Sequence, residues 1–298
     1  MTRREGSETV SGVIKSAEKA LKAAGSTEPV AEALFFASHA SGLKLSELRA
    51  KSGERATAEV IAFMNEAVFR RQRREPPQHI TGIQEFYGLD FLVTPDVLIP
   101  RPETELIVDE ALAFLKERKG TGKGVLRCLD LCTGSGCVVV AMAANAPDAL
   151  FDAVDISGQA VMAAILNAGS NGVAKRIRFF EGDLFNVEGG TPGGAPYDLI
   201  TANPPYVADA DVDALEPEVR VYEPRVALSG GEDGLEIIRR IVIEAPRYLG
   251  HGGMLLMEMG YGQAEAVAGL FNESRSFCRI EIKKDLAGVE RVVKAVRV

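Results

Sequence analysis

Between residues 7 and about 75 the apolar positions recur at three- and four-residue intervals, the spacing of helices that bury one face. Val10, Val13, Ile14, Ala17 and Leu21 form one such stripe, and Ala33, Leu34, Phe36 and Ala37 form a second behind Pro29. Leu43–Leu48 predicts a short third helix. Ala58–Arg73 predicts a fourth, with Ile61, Met64, Val68 and Phe69 on its apolar side. That helix ends in Arg70-Arg71-Gln72-Arg73-Arg74 and is broken by Glu75-Pro76-Pro77. Cations suit a helix C-terminus, so the run is either a solvated helix end or a contact for an acidic partner surface. No strand period is visible here, and residues 1–76 read as a small all-helical domain.

From Pro77 to Pro100 the period shortens. Ile80–Val93 predicts two strands turning at Gly88, a β-hairpin that links the helical part to the remainder of the chain. Pro102 suits the first turn of a helix over Leu106–Lys119. Beyond the loop Gly120–Gly124, from residue 101 to 298 as one domain, strand and helix signals alternate. Strands are expected at Val125–Leu131, Leu150–Asp155, Ile177–Glu181, from Tyr197, and at Gly253–Glu258. Helices are expected at Cys137–Ala146, Gln159–Gly169, Gly234–Leu249 and Gln263–Asn272. Cys278–Lys283 and Glu290–Val298 predict a closing antiparallel pair about Gly288. Such alternation means an α/β domain with a mainly parallel sheet and helices on both faces; the closing pair makes it mixed, with seven strands. The one glycine-rich tract is 189–194.

Composition narrows the class. With 298 residues, 46% hydrophobic and 26% charged, the chain has an ordinary globular make-up. A net charge of -8 argues against general nucleic-acid affinity, which draws on Lys and Arg, and leaves room only for a local basic groove; no direct sequence-specific nucleic-acid binding is expected. No apolar run approaches the roughly 20 residues of a membrane span. The start, Met1–Gly6, has no apolar stretch behind it, so a cytoplasmic protein is expected. Cys128, Cys132, Cys137 and Cys278 form no CxxC pair and the three histidines are scattered, so buried thiols and no metal site are expected.

The candidate chemistry lies at the strand ends, where open α/β sheets bind ligands. After the first strand comes Asp130-Leu131-Cys132-Thr133-Gly134-Ser135-Gly136, a turn whose glycines let a ligand approach backbone N–H groups. Asp155 ends the second strand, placed for ribose hydroxyls. Asp183 comes after the third, placed for an adenine amino group, with Leu184 as an apolar edge. The spacing also fits a dinucleotide fold. However, Val139 stands where its third glycine belongs, and Asp130 would repel a pyrophosphate. A ligand with a zwitterionic end suits these acids better, and S-adenosylmethionine is such a ligand.

The fourth strand stops at Asn203-Pro204-Pro205-Tyr206. Each proline lacks an N–H and drives the preceding residue out of the helical region. An extended Asn203, a stiff carbonyl at Pro204 and the Tyr206 ring form a receptacle for a planar group bearing NH2. A capped edge strand is the plainer alternative. An amide nitrogen is a poor nucleophile because its lone pair is delocalised. Acceptors at Asn203 and Pro204 would hold its two N–H bonds, turn the lone pair towards an electrophile, and stabilise developing positive charge.

These stretches, with Pro77–Gly82, Glu85-Phe86-Tyr87, Leu98–Glu105 (LIPRPETE) and Val219–Arg225, resemble the glutamine N5-methyltransferases of peptide-chain release factors, the PrmC/HemK family, over essentially the whole chain. Asn-Pro-Pro-Tyr alone is shared with nucleic-acid amino-methyltransferases; the Ile-Pro-Arg-Pro-Glu-Thr-Glu stretch discriminates better. The resemblance implies a seven-stranded Rossmann-like methyltransferase domain that uses S-adenosyl-L-methionine and leaves S-adenosyl-L-homocysteine. It implies class 1 release factors as partners, methylated on the glutamine of the GGQ motif and held by the helical domain, with the enzyme a monomer. By the same resemblance Arg101 and Glu103 are candidate substrate contacts, or else an ion pair at the helix start, and Glu223-Pro224-Arg225 shapes a loop over the site. Cys132 stands where the family often has Gly, as in the sister enzyme acting on a large-subunit ribosomal protein, and Leu184 where some members have an aromatic ring. An adenine amino-methyltransferase and a non-catalytic S-adenosylmethionine-binding adaptor are the competing readings.

Overall fold

A computed structural model of the chain describes residues 8–120, 122, 124–187 and 196–298. The first seven residues and the glycine-rich tract at 189–194 lie outside the described residues. The chain divides into two compact units. One runs to Gly82 and also takes in Pro217–Tyr222; the other holds Ile83–Glu216 and Glu223–Val298.

Threonine caps start two helices of the first unit. Thr9 Oγ1 accepts from Gly12 N–H before α1 (Val10–Ala23), and Thr57 Oγ1 from Val60 N–H before α4 (Ala58–Arg71). Between them lie α2 (Pro29–Ser41), opened by a first-turn proline, and α3 (Leu45–Ala50). Leu21, Phe36, Met64 and Ile80 meet in the core of this unit. Residues 77–81, expected to begin the linking hairpin, instead form α5 (Pro77–Thr81), because Pro77 sits where a helix tolerates it. The basic run is consumed within the unit. Arg70 pairs with Glu75, and Arg71 with Glu32 and Glu218; Arg74 pairs with Glu218, and Arg73 lies over the Phe69 ring.

The second unit opens with a hairpin, β1 (Ile83–Phe86) and β2 (Leu89–Leu92), whose turn residues Tyr87 and Gly88 both have positive φ, at 54° and 73°. That is the turn whose twist suits a two-residue hairpin. Phe86 and Phe91 meet edge to face inside it. The remaining elements are α6 (Glu105–Gly120), β3 (Leu126–Leu131), α7 (Cys137–Asn145), β4 (Ala149–Asp155), α8 (Gly158–Ser170), β5 (Ile177–Asp183), β6 (Asn186–Val187), β7 (Tyr197–Ala202) and α9 (Asp209–Val212). Then α10 (Pro217–Arg220) belongs to the helical unit, and α11 (Glu236–Glu244), β8 (Leu249–Glu258), α12 (Ala264–Ser274), β9 (Phe277–Lys284) and β10 (Glu290–Arg297) complete the chain. The helix expected to run to Leu249 ends at Glu244, because Pro246 cannot donate to a carbonyl one turn back.

The sheet order is β6-β5-β4-β3-β7-β8-β10-β9. Strands β5, β4, β3, β7 and β8 are parallel; β10 runs antiparallel to both β8 and β9. The expected seven strands are present, and the two-residue β6 adds an eighth at the edge. From β3 the chain builds one way through β4 and β5 and the other way through β7 and β8. The carboxyl ends of β3, β4 and β7 therefore flank a topological switch point, where such sheets bind ligands.

Candidate active site

A cavity of about 440 Å³ lies at that switch point, within the range of small-molecule sites. Its floor is the turn after β3. Cys132 takes φ +54° there, and its neighbour Thr133 donates its N–H to the Val154 carbonyl. Asp130 is buried, its two oxygens accepting the Thr133 and Thr201 hydroxyls at 2.6 Å each. Burial pushes its carboxyl up to about 7; the two hydroxyls oppose this, and the charge of Asp155 adds to it. Asp155 bridges the Gly134 and Ser157 amides at 2.8 and 3.0 Å, and so fastens the glycine turn to the end of β4. Burial raises its pKa also, against those amides. Asn167 on α8 holds the turn from the other side. Its Nδ2 donates to the Ser135 and Leu92 carbonyls while its Oδ1 accepts from Leu92 N–H. Asp183 pairs with Arg240 at 2.9 Å, and Leu184 is buried with φ +56°.

A side chain in the left-handed region costs roughly 1–2 kcal/mol, and here two such residues, Cys132 and Leu184, face one cavity. The cost at Cys132 explains why glycine suits that position. The Cys132→Gly variant is expected to be more stable than Cys132→Ala by about 1 kcal/mol, read from denaturant midpoints, because both lose the thiol and only glycine relieves the strain. Equal midpoints would show that the turn relaxes without cost.

At the end of β7 the Asn203 Nδ2 donates to Thr104 Oγ1 at 3.2 Å. Thr104 in turn donates to Glu258 Oε2 at 2.6 Å, and the Tyr206 hydroxyl donates to Glu258 Oε1 at 3.1 Å. Glu258 is only 1% exposed, and burial raises its pKa despite both hydroxyls and the nearby Arg291. The Pro205-Tyr206 backbone is gripped from behind. Gln263 Nε2 donates to the Tyr206 carbonyl at 3.0 Å, and a Cβ on Gly234 would come within 2.4 Å of that same oxygen. Glycine is therefore required at 234 for this approach.

Every residue expected to hold the cofactor lines the cavity except Gly136, which is the N-terminal cap of α7. Of the expected substrate contacts, Asn203, Pro205 and Arg101 line it; Pro204, Tyr206 and Glu103 do not. Tyr206, expected as a stacking ring, is half-buried against the core, with its hydroxyl donated to Glu258. Arg101 pairs with Glu223 at 2.5 Å, not with Glu103, and Glu223 also accepts the Ile99 N–H at 3.1 Å. Thr104, Glu258, Asn167, Arg240 and Gln263 also support the site, and the sequence alone does not single them out. Of these, only Thr104 lies within one of the motif stretches.

The residues fit S-adenosylmethionine. Acids close three successive strands, Leu184 and Ile156 supply apolar wall, and a Cβ at Gly134 would meet nothing within 4 Å, leaving the amide floor open to a ligand. Among the described residues no group of three or more His, Cys, Asp or Glu is placed to hold a metal ion, and no helix is long and apolar enough to cross a membrane. The four cysteines are free, and burial pushes the Cys137 thiol up to about 12.

Comparison with known proteins points the same way. Residues 13–82 match the model of the PrmC N-terminal domain, and residues 108–218 that of the methyltransferase small domain. A release factor glutamine methyltransferase of Geobacter sulfurreducens is 47% identical over 235 residues, covering 79% of this chain and 78% of its own. One of Rhodospirillum rubrum is 40% identical over 277 residues, covering 93% and 82%. Among solved structures a METTL16 methyltransferase domain superposes with a TM-score of 0.51 at 16% identity, covering 71% of this chain and 89% of that one, a likeness of fold.

Proposed function

We infer the function from a premise the relatives establish, that this chain belongs to the family of release factor glutamine methyltransferases: it transfers a methyl group from S-adenosyl-L-methionine to the side-chain amide nitrogen of a release-factor glutamine. The acceptor is the glutamine of the GGQ motif in class 1 release factors, and the helical unit docks that partner. The enzyme works as a monomer in the cytoplasm without direct sequence-specific nucleic-acid binding. One observation carries the reading. Asn203 ends β7 on the cavity wall with its Nδ2 held by Thr104, so its Oδ1 is the atom left to accept an N–H from a planar amide.

When bound, S-adenosylmethionine supplies an electrophilic methyl group. Asp130, Asp155, Asp183 and the Cys132–Gly136 turn would hold it, with Leu184 against the base. The chain's own contribution is orientation. Asn203 Oδ1 fixes one N–H of the acceptor, and the Pro204 carbonyl takes the other once substrate is seated. The amide plane is thereby fixed and the nitrogen lone pair turned towards the methyl group. The same acceptors favour the positive charge that develops on nitrogen. The proton becomes acidic only after methylation and leaves to water, so no strong base is called for.

The test is transfer of labelled methyl to unmethylated release factor, ribosomal large subunits and duplex DNA offered separately, with the label placed by mass spectrometry. Label on the GGQ glutamine is expected. Label on ribosomal protein alone would move the acceptor to the sister enzyme's substrate, and label on DNA alone would overturn the protein-acceptor reading.

A further inference from the structure

The hydrogen-bond polarity around Asn203 is set from outside the motif. A threonine hydroxyl has one hydrogen to give, whereas an ionised carboxylate only accepts. At 2.6 Å from Glu258 Oε2, the Thr104 hydroxyl spends its hydrogen there, in a charge-assisted bond. Towards Asn203 it has only lone pairs left, so the amide must present Nδ2, and Oδ1 faces away. The opposite amide orientation would set two oxygens 3.2 Å apart with no hydrogen between them. Both carboxylate oxygens are engaged, because the Tyr206 hydroxyl takes Oε1, and the assembly is buried: Thr104 and Glu258 are each 1% exposed.

We propose that Thr104 and Glu258 are positioning residues for methyl transfer, a two-bond relay in which the carboxylate of Glu258 fixes the direction of the Asn203 amide and so keeps Oδ1 turned to the acceptor glutamine. The inference rests on the reading of Asn203 as the acceptor clamp and extends it to Thr104 on the cavity wall and to Glu258 behind it. It carries a directional consequence. A proton on Glu258 would reverse the relay: the acid would donate to Thr104, the Thr104 hydrogen would turn to Asn203 Oδ1, and the clamp would offer N–H to an N–H. The groups facing Glu258 are the Tyr206 hydroxyl, Arg291 on β10, Glu103 beside Thr104 and the Cys137 thiol on α7. Burial raises the Glu258 pKa against the pull of Thr104, Tyr206 and Arg291, and the reversal sets in as pH falls through that titration.

The experiment compares wild type, Thr104→Val, Thr104→Ser and Asn203→Ala in full-length protein, measuring kcat with release factor across pH and cofactor affinity by calorimetry. Thr104→Val is expected to lower kcat about tenfold at neutral pH, the scale of one net hydrogen bond, with cofactor affinity unchanged. Thr104→Ser is expected to stay within about twofold of wild type, because it keeps the hydroxyl that the relay uses. The acid fall in kcat attributed to Glu258 is expected in wild type and Thr104→Ser and absent in Thr104→Val. If the valine variant does not fold, Thr104→Ala, which leaves room for water on Glu258, takes its place. Wild-type kcat in Thr104→Val, an equal loss in Thr104→Ser, or an unchanged acid limb would each overturn the relay. An active Asn203→Ala would instead overturn the clamp on which it rests.

Discussion

Asn203→Ala is expected to lose methyl transfer by at least about a thousandfold, since orientation and charge stabilisation both act through that side chain. Cofactor affinity is expected to stay within about twofold, because the floor of the cofactor cradle is fastened by Asp155 and Asn167 and not by Asn203. The substitution removes the one side-chain oxygen at the end of β7 that the Thr104 bond leaves unspent. Thr104 keeps its bond to Glu258, so the local fold has little reason to move. The measurement is single-turnover transfer to release factor beside calorimetric binding of S-adenosylmethionine. A variant that transfers normally would refute the clamp. One that no longer binds the methyl donor would make Asn203 a cofactor ligand.

The elements are legible in the sequence where a period can be read. The stripe Val13, Ala17, Leu21 is buried as its spacing predicts, and the closing pair at 277–284 and 290–297 lies within a residue or two of its expected limits. Short helices such as α9 and α10 carry too few turns to show a period, and α5 hides behind two prolines that read as breakers. The site divides along similar lines. Residues bound to the ends of strands can be found from the strand pattern, which is why the acids and Asn203 emerge together. Partners brought in from far along the chain cannot. Glu258 meets Thr104 across 154 positions, and Glu223 meets Arg101 across 122, and no local spacing encodes either meeting. Local spacing therefore matches Arg101 with Glu103, an acid two positions away. A ring beside two prolines likewise suggests a stacking role for Tyr206. What spacing does not reveal is that its hydroxyl is tied to Glu258, which fixes where the half-buried ring stands.

Arg101→Met is expected to destabilise the protein by about 2–3 kcal/mol at pH 7.5, because breaking a buried ion pair leaves a carboxylate uncompensated. Glu223 has a side chain only 1% exposed, and besides Arg101 it has the single amide of Ile99. Burial already raises its pKa above the usual value, while Arg101 and that amide pull it down. A carboxylate raised on folding contributes most below its unfolded pKa and loses that contribution as pH rises through the folded value. Removing the guanidinium takes away the largest opposing influence and lifts the folded value further. The variant's deficit should therefore be greatest at neutral pH and shrink as pH falls towards the carboxylate range, where a neutral Glu223 needs no cation. The check is the difference in unfolding midpoint between wild type and variant at pH 7.5 and pH 5.5, with Arg101→Met/Glu223→Gln as the partner-matched control. The double variant is expected to recover most of the loss at pH 7.5, since it no longer buries a charge. A deficit that is equal at both pH values and untouched by Glu223→Gln would mean that Arg101 supports the fold through its aliphatic packing, with the ion pair contributing nothing measurable.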